Sequence, residues 1–243
     1  MKISGVVIAF NEEAKIEACL RSLNLVCDEI IVLDSGSTDR TVSIACALGA
    51  KVHFQVFQGH IEQKNTAIQF AKNNWVLSLD ADEVLSEELI SAIHQIRGAL
   101  PTMAFRFPRL NNYCGQWIRY GAWYPDRKIR LWHRHYGTWG GRNPHDQVLV
   151  QKAVAVVDLP FDILHYSYDK PEDLRLQSDK FAAIARSTLN KEGSNACRLP
   201  LPRALFKFLR DYIFKQGILD GKAGLVIAFH NARYTYLKYS NKP

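Results

Sequence analysis

The 243-residue chain predicts an α/β fold, a largely parallel sheet flanked by helices, with a basic helical extension at the C-terminus. Three observations predict it. Strand and helix patterns alternate with short connections through the first hundred residues. Acidic residues end two of those strands, where open α/β sheets bind their ligands. The whole net charge of +7 falls in residues 198–243.

The elements follow in order. Ile3–Phe10 predicts the first strand, then a helix from Glu12 to Leu23. Glu29–Asp34 is the second strand, with a helix from Thr38 to Leu48 that stops at Gly49. Lys51–Val56 leads to a helix over Ile61–Lys72, and Trp75–Leu79 to one over Ser86–Arg97. After Gly98 the pattern turns irregular, with Trp, Tyr, Arg, Gly and Pro concentrated from Phe105 to His145. A helix over Pro171–Lys191 follows, and Pro200 and Pro202 mark a hinge. The domain reading is therefore 1–197, divided into two halves, 1–98 and 99–197, plus the extension 198–243.

Hydrophobic residues at 47% and charged residues at 23% suit a globular enzyme and exclude disorder. No apolar run reaches the roughly 18–20 residues that cross a bilayer. The chain opens directly into a strand pattern, so a cytoplasmic protein is expected. Five cysteines without metal-finger spacing read as reduced thiols, with Cys19 and Cys46 on apolar helix positions in the core. Residues 1–197 balance 22 Lys+Arg against 22 Asp+Glu, whereas residues 198–243 hold 9 against 2. Basicity confined to the tail, without a recognition motif, argues against nucleic-acid binding.

The chemistry begins at Trp75-Val76-Leu77-Ser78-Leu79-Asp80-Ala81-Asp82-Glu83, where an apolar strand runs into two aspartates. In extended chain, residues two apart face the same side, so Asp80 and Asp82 can converge on one hard cation, or on a cation and a ribose hydroxyl. Oxygen donors suit Mg2+ or Mn2+, which complete their shell with water and substrate phosphates. The loop after the first strand, Ala9-Phe10-Asn11-Glu12-Glu13, has no Gly-x-Gly-x-x-Gly, which counts against a dinucleotide-dependent dehydrogenase. In the second loop Ser37 or Thr38 suits a helix N-cap, and Asp34, left over, suits hydrogen bonds from a base or ribose. The aromatic and arginine-rich stretch 105–145 suits sugar rings and phosphates.

Together, Ala9-Phe10-Asn11-Glu12-Glu13, Val32-Leu33-Asp34-Ser35-Gly36-Ser37-Thr38-Asp39 and Leu79-Asp80-Ala81-Asp82-Glu83 resemble the ordered motifs of family 2 glycosyltransferases, which have the GT-A fold. The resemblance implies that Asn11, Glu12 and Asp34 bind nucleotide, that Asp82 chiefly holds metal, and that Asp80 serves ribose or metal. Lys64, in Gln63-Lys64-Asn65, falls where the family often has a basic residue and is expected on the nucleotide or diphosphate. Tyr124–Trp132, Asn143-Pro144-His145-Asp146-Gln147, Leu164–Tyr168 and Gly217–Gly221 look like the bacterial lipopolysaccharide-core glucosyltransferases, which transfer glucose with inversion to an inner-core heptose. That implies UDP-glucose as donor and a lipopolysaccharide core as acceptor. It also implies Asp146 as catalytic base, His145 as its orienter or an acceptor contact, Arg127 or Arg130 on the diphosphate, and His165 on metal or diphosphate. Inverting transfer needs a base and charge stabilisation on the leaving group, but no enzyme nucleophile.

In the tail, Leu205, Phe208, Leu209, Tyr212 and Ile213 recur at helical spacing, with Arg203, Lys207, Arg210 and Lys215 largely off that stripe. Such a helix suits the anionic inner face of the cytoplasmic membrane, where a lipid-linked acceptor lies. A polyprenyl-phosphate glycosyltransferase and a catalytically silent membrane-associated sugar-binding protein are the competing readings.

Overall fold

The computed structural model describes residues 1–142, 145–191 and 199–240. They form two compact units, residues 1–109 with 126–165, and residues 110–125 with 166–243. Residues 199–240 of the basic segment fall in the unit that begins at Leu110.

In the first unit, β1 (Ile3–Ala9), β2 (Glu29–Asp34), β3 (Lys51–Phe54) and β4 (Trp75–Asp80) lie parallel in the order β3-β2-β1-β4. The register places Ala9 beside Asp34, and Ile8 beside Asp80, so the motif loops leave one end of the sheet together. The region expected to be irregular is mostly strand. β6 (Met103–Tyr113) and β8 (Asp126–His133) are antiparallel partners, and β8 also runs antiparallel to β4. β9 (Gly137–Arg142) and β10 (His145–Val150) form a separate hairpin. The short β5 (Glu83–Leu85) pairs with Ile163–His165 of β12 (Ile163–Tyr168), and β11 (Ala155–Asp158) runs beside β6.

Alternation along the strands sorts the core into two layers. Ile3, Val7, Leu77 and Leu79 pack with Ile16, Cys19, Leu20 and Leu23 of α1 (Ile16–Asn24) and Leu89 and Ile93 of α4 (Glu87–Gln95). The i, i+3, i+4, i+7 spacing of the α1 residues makes that stripe. On the opposite face, Val6 and Val76 pack with Ala67 of α3 (His60–Gln69) and with Trp139 and Val148 of the hairpin. Asp80 shares the parity of Val76, so its side chain emerges on the face that α3 and the hairpin cover. α2 (Thr41–Ala47) buries Thr41 and Ala45 and leaves Cys46 exposed, contrary to its expected core position. The N-cap of α4 is Ser86, whose Oγ accepts from the Leu89 N–H at 3.2 Å.

In the second unit, the end of β6 pairs with β7 (Gln116–Ile118), and Tyr113, Ile118, Leu174, Ala223 and Ile227 form a core with α5 (Pro171–Lys191) and α7 (Gly221–Tyr239). The expected proline hinge is the first turn of α6 (Pro200–Leu209), where Pro200 needs no N–H partner. α6 ends in a π-type turn, Arg210–Phe214. Buried Asp211 there takes Lys207 Nζ at 2.7 Å and Asn231 Nδ2 at 3.0 Å. Asp220 accepts backbone N–H bonds from Arg119 and Tyr120 at 3.2 and 2.9 Å, a structural use of the Gly217–Gly221 motif. A Cβ on Gly224 would stand 1.8 Å from the Gly217 carbonyl oxygen, so this crossing requires glycine. Leu201, Leu205, Phe206, Ile213, Phe214, Ile218 and Leu219 remain exposed. Among the described residues no helix is long and apolar enough to cross a membrane.

Candidate active site

The first two motif loops are tied to each other by side chains. Asn11 has a left-handed backbone (φ 55°), donates its N–H to Ser37 Oγ at 2.9 Å, and accepts from the Thr38 N–H at 2.8 Å. Glu12 donates its N–H to Thr41 Oγ1 at 2.8 Å. Asp34 accepts from the Gly36 and Ser37 N–H groups at 2.8 and 2.9 Å, folding the loop through Gly36 at φ 98°. These bonds explain why α1 and α2 start later than their periodicity suggests: the residues before them hold the opposite loop. The N-cap position of α2 is Arg40, not Ser37 or Thr38, and Asp39 just before it accepts from the Thr41 N–H at 2.9 Å.

At the end of β4 lies a dense charge cluster. Lys64 Nζ bridges Asp80 Oδ1 at 2.8 Å and Asp146 Oδ2 at 2.7 Å, with its side chain only 4% exposed. The ammonium lies 4.3 Å from the Trp139 ring centroid. Its neighbours on α3 hold other loops. Gln63 donates to Ser35 Oγ and the Gln55 carbonyl, while Asn65 donates to the Trp139 carbonyl at 2.9 Å and accepts from the Trp139 N–H at 3.0 Å. Asp80, Asp146 and Lys64, chosen separately from sequence, are thus brought together.

Arg130, expected on the diphosphate, is 2% exposed and gives Nη2 to Glu83 Oε1 at 2.6 Å and Asp80 Oδ2 at 3.0 Å. A β-bulge aims it there. Phe105 pairs with Leu131 and Arg106 with Ile129, leaving Arg130 as the extra residue, and such bulges re-aim side chains. Glu83 is fully buried and also takes Arg109 Nη1 at 3.2 Å; Arg109 reaches Asp126 at 2.7 Å. Burial drives the Asp80 carboxyl upward, but Lys64 and Arg130 outweigh it and hold the group well below the usual carboxylate range. Burial likewise disfavours the Arg130 cation, and Glu83 and Asp80 reverse that.

Asp82 lies in the turn between β4 and β5, not in extended chain. The two-residue spacing therefore does not align the carboxylates: Asp80 goes to Lys64 and Arg130, and Asp82 to His165 Nε2 at 3.1 Å. Among the described residues no three His, Cys, Asp or Glu side chains form a metal cluster. A carboxylate with an imidazole fits a divalent cation that keeps water and takes its other ligands from substrate phosphate. Arg127 is not brought into the cluster. It is exposed at the start of β8, ahead of the bulge, and pairs with Asp158 at 3.5 Å. Asn143 and Pro144 and the side chain of His145 lie outside the described residues. Sequence reading gave no role to Glu83, Arg109 or Trp139; the signal available was Glu83 itself, the acidic residue that completes Asp80-Ala81-Asp82-Glu83.

Residues 4–147 match the profile of Glycosyl transferase family 2. An uncharacterized glycosyltransferase of Rickettsia felis is 46% identical over 97% of this chain and 88% of its own length. Another, from Rickettsia typhi, is 32% identical over 97% and 85%. The lipopolysaccharide core biosynthesis glycosyltransferase LpsC of Rhizobium meliloti is 25% identical over 98% of this chain and 90% of its own. Parallel β1, β2 and β4, the acidic residues at their carboxyl ends and the matched profile lead to one conclusion: the chain is a glycosyltransferase of family 2, with the GT-A fold.

Proposed function

We propose that this glycosyltransferase moves glucose from UDP-glucose, with inversion, to an inner-core heptose of lipopolysaccharide at the inner face of the cytoplasmic membrane. The observation that carries the reading is the Lys64 bridge, which joins Asp80, on the donor side, to Asp146, at the acceptor hairpin, through one ammonium. The likeness to LpsC along nearly the whole chain supports the acceptor class.

In the reaction, Asp146 takes the proton of the acceptor hydroxyl as that oxygen attacks the anomeric carbon. The bond to the diphosphate breaks on the opposite side, and the charge that develops there falls to Lys64. Asn11, Glu12 and Asp34 shape and line the nucleotide end, and Asp80 meets the ribose. Asp82 and His165 would hold the divalent cation, Mg2+ or Mn2+, which as a Lewis acid neutralises diphosphate charge. Arg130 and Arg109 fix Glu83 and Asp80 in place rather than touching substrate.

Asp82→Ala is expected to weaken metal-dependent UDP binding by more than the roughly tenfold that loss of an outer-sphere partner costs. Titration calorimetry with and without Mn2+ measures it; unchanged affinity would remove Asp82 from the metal.

Exposed Phe206, Phe214, Ile218 and Leu219, with Arg203, Lys215 and Lys222 nearby in sequence, support a peripheral membrane contact of the second unit. Each basic residue near an anionic surface adds about 1 kcal/mol. Phe206→Glu with Phe214→Glu is expected to cut co-sedimentation with anionic vesicles about tenfold or more. The melting temperature stays put, because both rings are exposed. Undiminished sedimentation would end the membrane assignment.

The function itself is tested by incubating the protein with UDP-glucose, metal and a truncated heptose-containing core, with mass spectrometry of the acceptor. A metal-dependent hexose gain supports the reading. No gain, with UDP binding intact, points to another donor sugar or to a polyprenyl-phosphate acceptor.

A further inference from the structure

One ammonium serves two carboxylates that the proposed reaction needs at different moments. Asp80 has a second cation, Arg130, at 3.0 Å, whereas among the described residues Lys64 is the cation paired with Asp146. The Lys64 side chain is closed off from water and rests against Trp139. Asn65 fastens the backbone of Trp139 to the same helix, so the hairpin that carries Asp146 is held in register with Lys64. In so enclosed a place an ammonium is shared among neighbouring anions by competition, with little help from solvent.

We infer that Lys64 couples the two substrates. Without donor it holds Asp146; when a multiply charged nucleoside diphosphate arrives beside Asp80, it draws the ammonium to itself and leaves Asp146 to the acceptor hydroxyl. The inference rests on the donor class and the base proposed above. Its consequence is ordered use of the site. Asp146 Oδ2, held by Lys64 at 2.7 Å, is released to face the acceptor hydroxyl when donor is in place. Donor-first order follows from this competition of charges.

Competition of this kind is reciprocal: if the donor weakens the Lys64–Asp146 pair, removing the Asp146 charge must strengthen donor binding. The test is the Kd of UDP with Mn2+, measured by titration calorimetry, for wild type, Asp146→Asn, Lys64→Met and the double variant, with Lys64→Gln as a second background should the methionine variant fold poorly. Asp146→Asn is expected to bind UDP roughly fivefold tighter or more than wild type. On the Lys64→Met or Lys64→Gln background the same substitution is expected to change Kd less than about twofold, since the contested ammonium is gone. Two results overturn the coupling while leaving the glycosyl-transfer reading intact. One is UDP binding to Asp146→Asn no tighter than to wild type. The other is equal tightening with and without Lys64, which is a through-space charge effect. Failure of wild type to bind UDP with Mn2+ at all overturns the nucleotide-sugar reading, and the coupling with it.

Discussion

Asp146→Asn is expected to abolish most glycosyl transfer, with kcat falling about 10²–10⁴-fold while UDP and metal still bind. The amide keeps the size of the side chain and one oxygen near Lys64, so β10 and its pairing with β9 are preserved. What is lost is the group proposed to accept the hydroxyl proton. A side chain that merely ordered the hairpin would raise KM when altered. A base lowers kcat with the donor site intact. The two are separated by single-turnover transfer alongside UDP calorimetry on the same preparation. Transfer at the wild-type rate would reassign the base elsewhere.

The second large effect is on stability. Arg130→Met is expected to cost about 3 kcal/mol or more, read as a lower midpoint in chemical denaturation with an unchanged slope. The buried Glu83 carboxylate would keep one paired cation, Arg109 at 3.2 Å, beside the Asp80 N–H at 3.1 Å on its other oxygen, and Asp80 would keep Lys64. An uncompensated buried charge is what makes broken internal ion pairs expensive. Two guanidinium nitrogens of Arg130, Nε and Nη1, are buried with no hydrogen-bond partner among the described residues, and methionine relieves that defect; the loss therefore stays at the lower end of the usual range. A loss under about 1 kcal/mol would mean that the cluster relaxes onto Arg109 alone.

The first half of the fold was legible because its signal is local. Apolar runs in β1, β2 and β4 and the four-residue recurrence in α1 reveal their elements within one window. Helix starts were less legible, since Thr38 and Glu12 look like helix residues until their loops are seen bonded to each other across 26–29 positions. From Met103 to Tyr168 the signal fails for a different reason. β6 pairs with β8 and β11, which lie far apart in the chain, and a bulge at Arg130 breaks the alternation that would announce β8. In the site, Asp80, Lys64 and Asp146 were each readable as residues with chemistry to do. That one lysine touches both acids was not, because Lys64 and Asp146 are 82 positions apart. Arg127 and Arg130 look equivalent in sequence, and the bulge separates an exposed arginine from a buried one.

Gln63, Lys64 and Asn65 are consecutive on α3, and each fastens a different part of the first unit: the β2–β3 loops, the β4 terminus with Asp146, and the hairpin backbone. Successive helical residues point about 100° apart. The helix therefore works like an axle with three spokes, and its roll angle is a single coordinate common to donor loop, acidic turn and acceptor hairpin. Inserting or deleting one residue upstream within α3 would swing all three spokes off their targets together. The loops at either end can change length without turning the helix, while inside it the spacing of the site is set by counting.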